Sequence, residues 1–366
     1  MAGEKEFALE RFRKYYQHAE FDIVQIEKRE FGIGNVKKID SRHLAFDSID
    51  VFRSYLMNNT PLFVSHSTAY YRYPGATPIE KKEWGGADVV FDLDMHSDSR
   101  YGIYAKLGEV KNDAIKLMED FLLSDFGISR NELLVVFSGN RGYHIHVRDK
   151  NFLDLGSDER RELVDYIRGA GLNYRNFFEN DYGGVKGKIS GPKPSDYGYR
   201  GKFARAVIKL LDSEPERISR KFVKEVEQAI FKKGIENGNW STSLSDIVDR
   251  VGIVANELPL HTVDADAGVT FDTSKLIRVP NSIHGETGLI AKIVKDIDNF
   301  DPLKDAKLKP TGELKVKFLE DVPMIQFGDE TIGPFVKERE EILVDTTALF
   351  FLLKGSATIQ KTTLPQ

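Results

Sequence analysis

Two short stretches show the clearest patterning of apolar and polar positions along this chain. Over residues 88–94, Val89, Phe91 and Leu93 fall on one face of an extended segment, and Asp92 and Asp94 fall on the other. Leu133–Phe137 is continuously apolar, as expected of a strand buried on both faces. Ser138-Gly139-Asn140-Arg141-Gly142 then predicts a tight turn, with Gly139 and Gly142 free to take backbone angles that other residues avoid. Alternation resumes after it, so His144, His146 and Arg148 point one way and Tyr143, Ile145 and Val147 the other. Helical spacing predicts helices over 4–18, 110–123 and 157–178, the last starting near Ser157 as a plausible cap. Strands are predicted at 26–33, 40–46, 60–73, 313–318 and 324–327, with strand-like text over 258–290 and a helix at 345–354.

Glycine, proline and basic residues concentrate at 183–205, where Lys186, Lys188, Lys193, Arg200, Lys202 and Arg205 face a single acid, Asp196, with Tyr197 and Tyr199 interleaved. Such a loop suits a nucleic-acid backbone, and it equally suits a solvated linker. Charged helical text follows to about residue 251. The expected organisation is therefore a discontinuous α/β core over 1–182 and 252–355, a basic loop and helical subdomain over 183–251, and a polar tail over 356–366.

The chain has 366 residues, 41% of them hydrophobic, which is enough for one large or two ordinary domains with a substantial core. No apolar run approaches the roughly 20 residues that span a bilayer. The opening MAGEKEFALERF is charged and helix-like, unlike a secretory leader, so no membrane association and a cytoplasmic location are expected. The absence of cysteine excludes disulfides, thiolate catalysis and cysteine-based zinc sites. A net charge of −5 argues against a generally basic nucleic-acid coat protein, while leaving room for local basic patches.

Candidate chemistry follows from the pattern. Two carboxylates as close as Asp92 and Asp94 repel unless a cation sits between them, which is why such pairs recur in divalent-metal sites with hard oxygen ligands. The pairing is also common by chance. Ser138, Arg141 and His144 converge at the end of a buried strand and suit a polyanion such as a triphosphate; an ordinary hairpin with a polar wet face is the alternative. Asp264 and Asp266 form a second alternating pair, Arg278 lies in strand-like text, and His284 lies in a turn. Glu30 and Arg42, charged groups within strand-like text, read by themselves as a surface ion pair worth little.

Together these stretches resemble the small, catalytic subunit of archaeo-eukaryotic DNA primases, and most of all the archaeal branch. The resemblance rests on Arg29-Glu30-Phe31 with Arg42, on Phe91-Asp92-Leu93-Asp94, on Ser138-Gly139-Asn140-Arg141-Gly142-Tyr143-His144, and on Asp266, Arg278 and His284. The lead-in Lys82-Glu83-Trp84-Gly85-Gly86-Ala87-Asp88 is also similar to archaeal members, and the likeness runs from about residue 7 to 355. It implies a mixed-sheet α/β (α+β) primase core with an inserted helical subdomain. It implies template-directed, de novo synthesis of short primers on single-stranded DNA from NTP or dNTP, with release of pyrophosphate. Asp92, Asp94 and Asp266 would hold two Mg²⁺ or Mn²⁺ ions, with Asp264 a neighbour of unassigned role. Ser138, Gly139, Arg141, His144, Arg278 and His284 would hold the triphosphate, and Glu30 and Arg42 would belong to the same pocket. The family works as a heterodimer with an iron–sulfur large subunit. Two departures stand out. Asn140 occupies the place of a second arginine in eukaryotic members. The zinc knuckle of many archaeal members is built with cysteines, and His96 and Asp98 do not replace it, so no structural zinc is expected. A metal-dependent phosphodiesterase or nuclease, and a non-catalytic replication subunit, are the competing readings; Ser138, Arg141 and Arg278 suit a triphosphate better than a lone phosphodiester.

Overall fold

Phe31–Gly34 (β1) pairs antiparallel with both Ser41–Leu44 (β2) and Phe63–Ser67 (β3), and the strand Leu276–Arg278 adds to the outer edge of β3. The computed structural model describes residues 2–95, 97, 99–180, 188–261 and 267–360. Ala69–Tyr71 (β4) pairs with Trp84–Ala87 (β5). A third sheet runs Val89–Asp94 (β6), Gly142–Val147 (β8), Leu133–Phe137 (β7), antiparallel throughout. Its register sets Asp92 opposite His144 and Asp94 opposite Gly142.

Helices Ala2–Tyr16 (α1) and Ile49–Asn59 (α2) supply the main core with Phe12, Tyr16, Phe52 and Leu56, which pack with Phe31 and Phe46. Full burial of each such aromatic contributes about 1.5–3 kcal/mol relative to leaving it in water. Ser48 caps α2 by accepting from the Val51 N–H.

A buried ionic joint fixes the root of β6. Arg29 and Asp88, each 1% exposed, pair at 2.7 Å. Arg29 also donates to the Ser67 and Thr68 carbonyls and lies over the Tyr70 ring at 3.6 Å. The Tyr70 hydroxyl donates to Asp88 at 2.8 Å, and Arg160 donates to the Asp88 and Ala87 carbonyls. Arg29 and Asp88 thus meet each other and several hydrogen-bond partners, which offsets the cost of taking both out of water.

Several elements differ from the sequence expectation. The strand text of 60–73 divides into β3 and β4, which join different sheets. Residues 26–28 form a 3-10 turn before β1. Leu107–Lys116 (α3) continues as a π-helical stretch, Leu117–Leu123. Ser157–Ile167 (α4) ends well before 178, because Gly169 and Gly171 take φ of +67° and +71° and break the helix. Among the described residues of 258–290 the chain is mostly turn, with one short helix, Ala267–Phe271, before Leu276–Arg278. Part of the expected tail is ordered: Ala357–Ile359 and Glu340–Val344 flank Glu313–Phe318 in one sheet, beside the helix Asp345–Leu353. Residues 361–366 lie outside the described residues.

The chain divides into two compact units, one of residues 1–115, 128–162 and 262–366, the other of 116–127 and 163–261. The helical unit is therefore wider than 183–251. Its core holds Phe203, Phe231 and the fully buried Trp240, from the helices Gly198–Ser213 (α5) and Glu225–Glu236 (α6) and the chain after them. Within it Lys202 reaches Asp125, and the Tyr166 hydroxyl donates to the same carboxylate at 2.8 Å. Those contacts tie 116–127 and α4's end to α5. Among the described residues, no helix is long and apolar enough to cross a membrane.

Candidate functional site

A cleft of about 400 Å³ opens where β6, the β7–β8 turn and the strand Leu276–Arg278 meet, within the larger unit. Asp92, Asp94, Ser138, Arg141, His144, Arg278 and His284 all line it. Alternation along β6 turns both aspartates to the cleft while Val89, Phe91 and Leu93 are buried beneath.

Glycine makes the turn possible in two different ways. Gly139 takes φ of +82°, and a Cβ there would lie 2.9 Å from the Cβ of His284. Its carbonyl accepts from Thr287 Oγ1 at 2.5 Å. Gly139 thus brings the His284 loop close and does not itself line the cleft, a correction to its expected role in binding substrate. Gly142 lies in β8 without unusual torsion; its requirement is space, since a Cβ would sit 2.1 Å from the Leu93 carbonyl oxygen.

The charged groups pair across the strands. Arg141 Nε donates to Asp94 Oδ2 at 2.7 Å. His144 Nε2 lies 3.5 Å from Asp92 Oδ1. Burial, with Arg278 nearby, pulls the His144 imidazole down to about 3, so it is neutral at pH 7. His284 is pulled well below its usual value by burial, again with Arg278 next in effect. The backbone N–H of Glu286 donates to His284 Nδ1 at 3.2 Å. A neutral imidazole accepting at Nδ1 carries its proton on Nε2, so His284 presents an N–H donor. Ser138 Oγ accepts from the Gly142 N–H at 3.2 Å, which leaves its own proton to donate.

Arg278, like His144 at Nδ1, has a vacancy in its hydrogen bonding among the described residues. Its Nη1 is buried and, among the described residues, has no hydrogen-bond partner. Among the described residues, no carboxylate pairs with it within 4.0 Å. Burial lowers it to about 10, so it stays charged at neutral pH. The Phe63 ring supports it at 5.5 Å and meets the His284 ring edge-on at 5.8 Å. A half-buried cation with a buried, unused donor nitrogen, beside Ser138 and the His284 N–H, is an anion site.

Glu30 and Arg42 do pair, at 3.1 Å, but neither lines the cleft. Glu30 is fully buried; it also accepts from the His43 N–H and lies 3.6 Å from the buried Lys82 ammonium. The surface-pair reading and the same-pocket reading are both corrected: the pair braces β2 against β1. The turn between these strands, tied by Asp40 accepting from the backbone of Asn35, Val36 and Lys37, carries Lys38 to the cleft. Lys38, Ser65, Lys275 and Glu286 also line the cleft, and no motif marked them. His146 does not line it; its ring stacks toward His66 at 6.3 Å.

Asp264, Asp266, Lys186, His96 and Asp98 lie outside the described residues. Among the described residues, no group of three His, Asp or Glu is gathered to hold a metal. Asp92 and Asp94 alone are a hard-oxygen pair of the kind Mg²⁺ and Mn²⁺ take, so they fit as two of a larger ligand set. On the basic segment, Lys188 and Lys193 are exposed. Arg200 is exposed too, but pairs with Asp196 and donates to the Phe177 carbonyl. Lys202 is a correction: it is 7% exposed, paired with Asp125, with the Phe121 ring at 4.0 Å, and is unavailable to nucleic acid.

Comparison with known proteins bears on what this cleft serves. The family model described as DNA primase small subunit matches residues 91–296, a span that includes Asp92, Asp94, the β7–β8 turn, Arg278 and His284. The chain is 34% identical to the DNA primase small subunit PriS of Methanosarcina acetivorans, covering 96% of both chains. It is 33% identical to that of Archaeoglobus fulgidus, covering 96% of this chain and 98% of the relative. With that of Methanocaldococcus jannaschii the identity is 33%, over 81% and 82%.

Proposed function

The chain belongs to the DNA primase small-subunit family, and on that premise we propose that it synthesises primers de novo on single-stranded DNA, by nucleotidyl transfer from NTP or dNTP with release of pyrophosphate. The observation that carries the nucleotide half of this reading is the unpartnered Arg278 Nη1 beside two free donors, Ser138 and the His284 N–H. These groups would grip the triphosphate, and Arg141, held by Asp94 through Nε, has Nη nitrogens without a hydrogen-bond partner among the described residues, for another phosphate oxygen. His144, neutral, would buttress Asp92 without adding a charge. Asp92 and Asp94, with Asp266, would hold two Mg²⁺ or Mn²⁺ ions. Such ions, when bound, lower the pKa of an attacking 3′-hydroxyl and neutralise a departing pyrophosphate. The protein's own share is alignment and fixed charge, already in place before substrate arrives. An iron–sulfur large subunit would be the partner, and the single-stranded template the second substrate.

The test is incubation of the full chain with unprimed single-stranded DNA, with NTP or dNTP, with Mg²⁺ or Mn²⁺, and with and without the large subunit. Oligonucleotide products that require nucleoside triphosphate are expected. Degradation of the strand without any triphosphate would instead identify a phosphodiesterase.

Template contact is assigned to the exposed lysines of the basic segment. The double variant Lys188→Glu, Lys193→Glu is expected to weaken binding of single-stranded oligonucleotide by about tenfold at low salt, and to flatten the salt dependence. Lys202→Ala should leave that affinity alone and lower the melting temperature, because it strands Asp125 in a buried site. Fluorescence anisotropy and thermal melting of both variants separate the two effects.

A further inference from the structure

Asn140 sits between the cleft and a half-buried cation from the far end of the chain. It lines the cleft. Its Oδ1 accepts from the Tyr104 hydroxyl at 3.2 Å and from Lys354 Nζ at 3.4 Å. Both neighbours are donors here, an ammonium necessarily so, and they determine which end of the amide faces them. Nδ2 is therefore turned away from them. Among the described residues it donates to no group.

Lys354 is held for this role. It caps the helix Asp345–Leu353, and its ammonium lies 5.3 Å from the Tyr104 ring and 5.8 Å from the Phe350 ring. Among the described residues, no carboxylate lies within 4.0 Å of it. A charge partly withdrawn from water without an ion pair is poorly screened, which leaves its field available to whatever enters the cleft. Burial brings the Lys354 ammonium down to about 8, opposed by Glu286 and reinforced by Arg100 and Arg141.

We propose that Lys354, with Tyr104, is a positioning residue that holds Asn140 with Nδ2 toward the cleft, where it donates to a phosphate oxygen of the bound nucleoside triphosphate while the Lys354 charge stabilises that anion from behind. This rests on the nucleotide-binding reading of the cleft. It adds a group that acts through another side chain, supplied 214 residues away in sequence.

The experiment measures ATP binding by calorimetry in Mg²⁺, and extension of a pre-annealed primer, for the full chain and its Lys354→Gln, Lys354→Arg, Asn140→Ala and double Asn140→Ala, Lys354→Gln variants. Lys354→Gln is expected to raise the KM for nucleotide about tenfold with kcat within about twofold, the pattern of lost binding. Lys354→Arg should recover most of that loss. The double variant should be less impaired than the product of the singles, because the two side chains act as a unit. ATP affinity of the wild type should fall as pH rises past about 8, where Lys354 loses its charge, and Lys354→Arg should remove that fall. Glu286, Arg100 and Arg141 are the charged groups that face the Lys354 ammonium, and burial drives the Tyr104 hydroxyl upward, away from this range. Should Lys354→Gln fail to fold, Lys354→Met keeps the stem among the rings and takes its place. An unchanged KM in a folded variant, or a double variant equal to the product of the singles, overturns the inference. Wild-type protein that binds ATP but extends no primer would defeat the polymerase reading and leave this one standing; wild type that binds no ATP overturns it.

Discussion

Asp92→Asn is expected to reduce templated nucleotide incorporation by about a thousandfold or more, equivalent to about 4 kcal/mol of transition-state stabilisation, while the melting temperature holds or rises. The carboxylate shares one face of β6 with Asp94, two residues on, at the cleft. Removing one of two like charges on the same face relieves repulsion in the metal-free protein, which offsets the lost attraction to Arg278, and the isosteric amide keeps its place beside His144. On the proposed mechanism, the same change would take away a ligand for the divalent ions that serve the chemistry. Loss of incorporation with an undiminished melting temperature is the required pair of results. Full activity in this variant would remove Asp92 from the reaction and the proposed mechanism with it.

Asp88→Ala should have the opposite signature, destabilising the fold by about 3–5 kcal/mol. It would leave the Arg29 guanidinium buried without a counter-charge, along with a Tyr70 hydroxyl that has lost its acceptor. The loss is large because neither group can reach water; both Arg29 and Asp88 are 1% exposed. Urea unfolding followed by circular dichroism reads it as a lower midpoint. A shift worth under about 1 kcal/mol would mean that the joint relaxes more freely than its burial implies. Since Asp88 immediately precedes β6, residual activity per folded molecule should also fall, through misplacement of Asp92 and Asp94.

The cleft was partly legible from the text of the chain. Asp92 and Asp94 were visible because strand alternation is a local rule, and two polar residues two apart must share a face. Ser138, Arg141 and His144 were visible because a glycine-bounded turn between strands brings its own residues together. Glu30 and Arg42 were recognised as a pair, yet their surroundings were not. Only tertiary packing buries Glu30 against Lys82 and leaves Lys38, further along the same hairpin, to face the cleft. Lys202 misled for a similar reason: the glycines and prolines around it read as loop, but α5 begins at Gly198 and turns it inward to Asp125.

Asn140 shows the division most clearly. Its departure from the arginine of eukaryotic relatives was readable in the motif, and by itself suggested a weaker grip on the nucleotide. Lys354 and Tyr104, which meet it from distant segments, were not readable at all. Sequence by itself determined the strands, the turn and the chemical character of their ends, since periodicity and backbone sterics act over a few residues. The tertiary structure decided which charges are buried, which are paired and which are left with an unused donor. Those outcomes depend on desolvation and on partners tens to hundreds of residues away, and no local pattern encodes either.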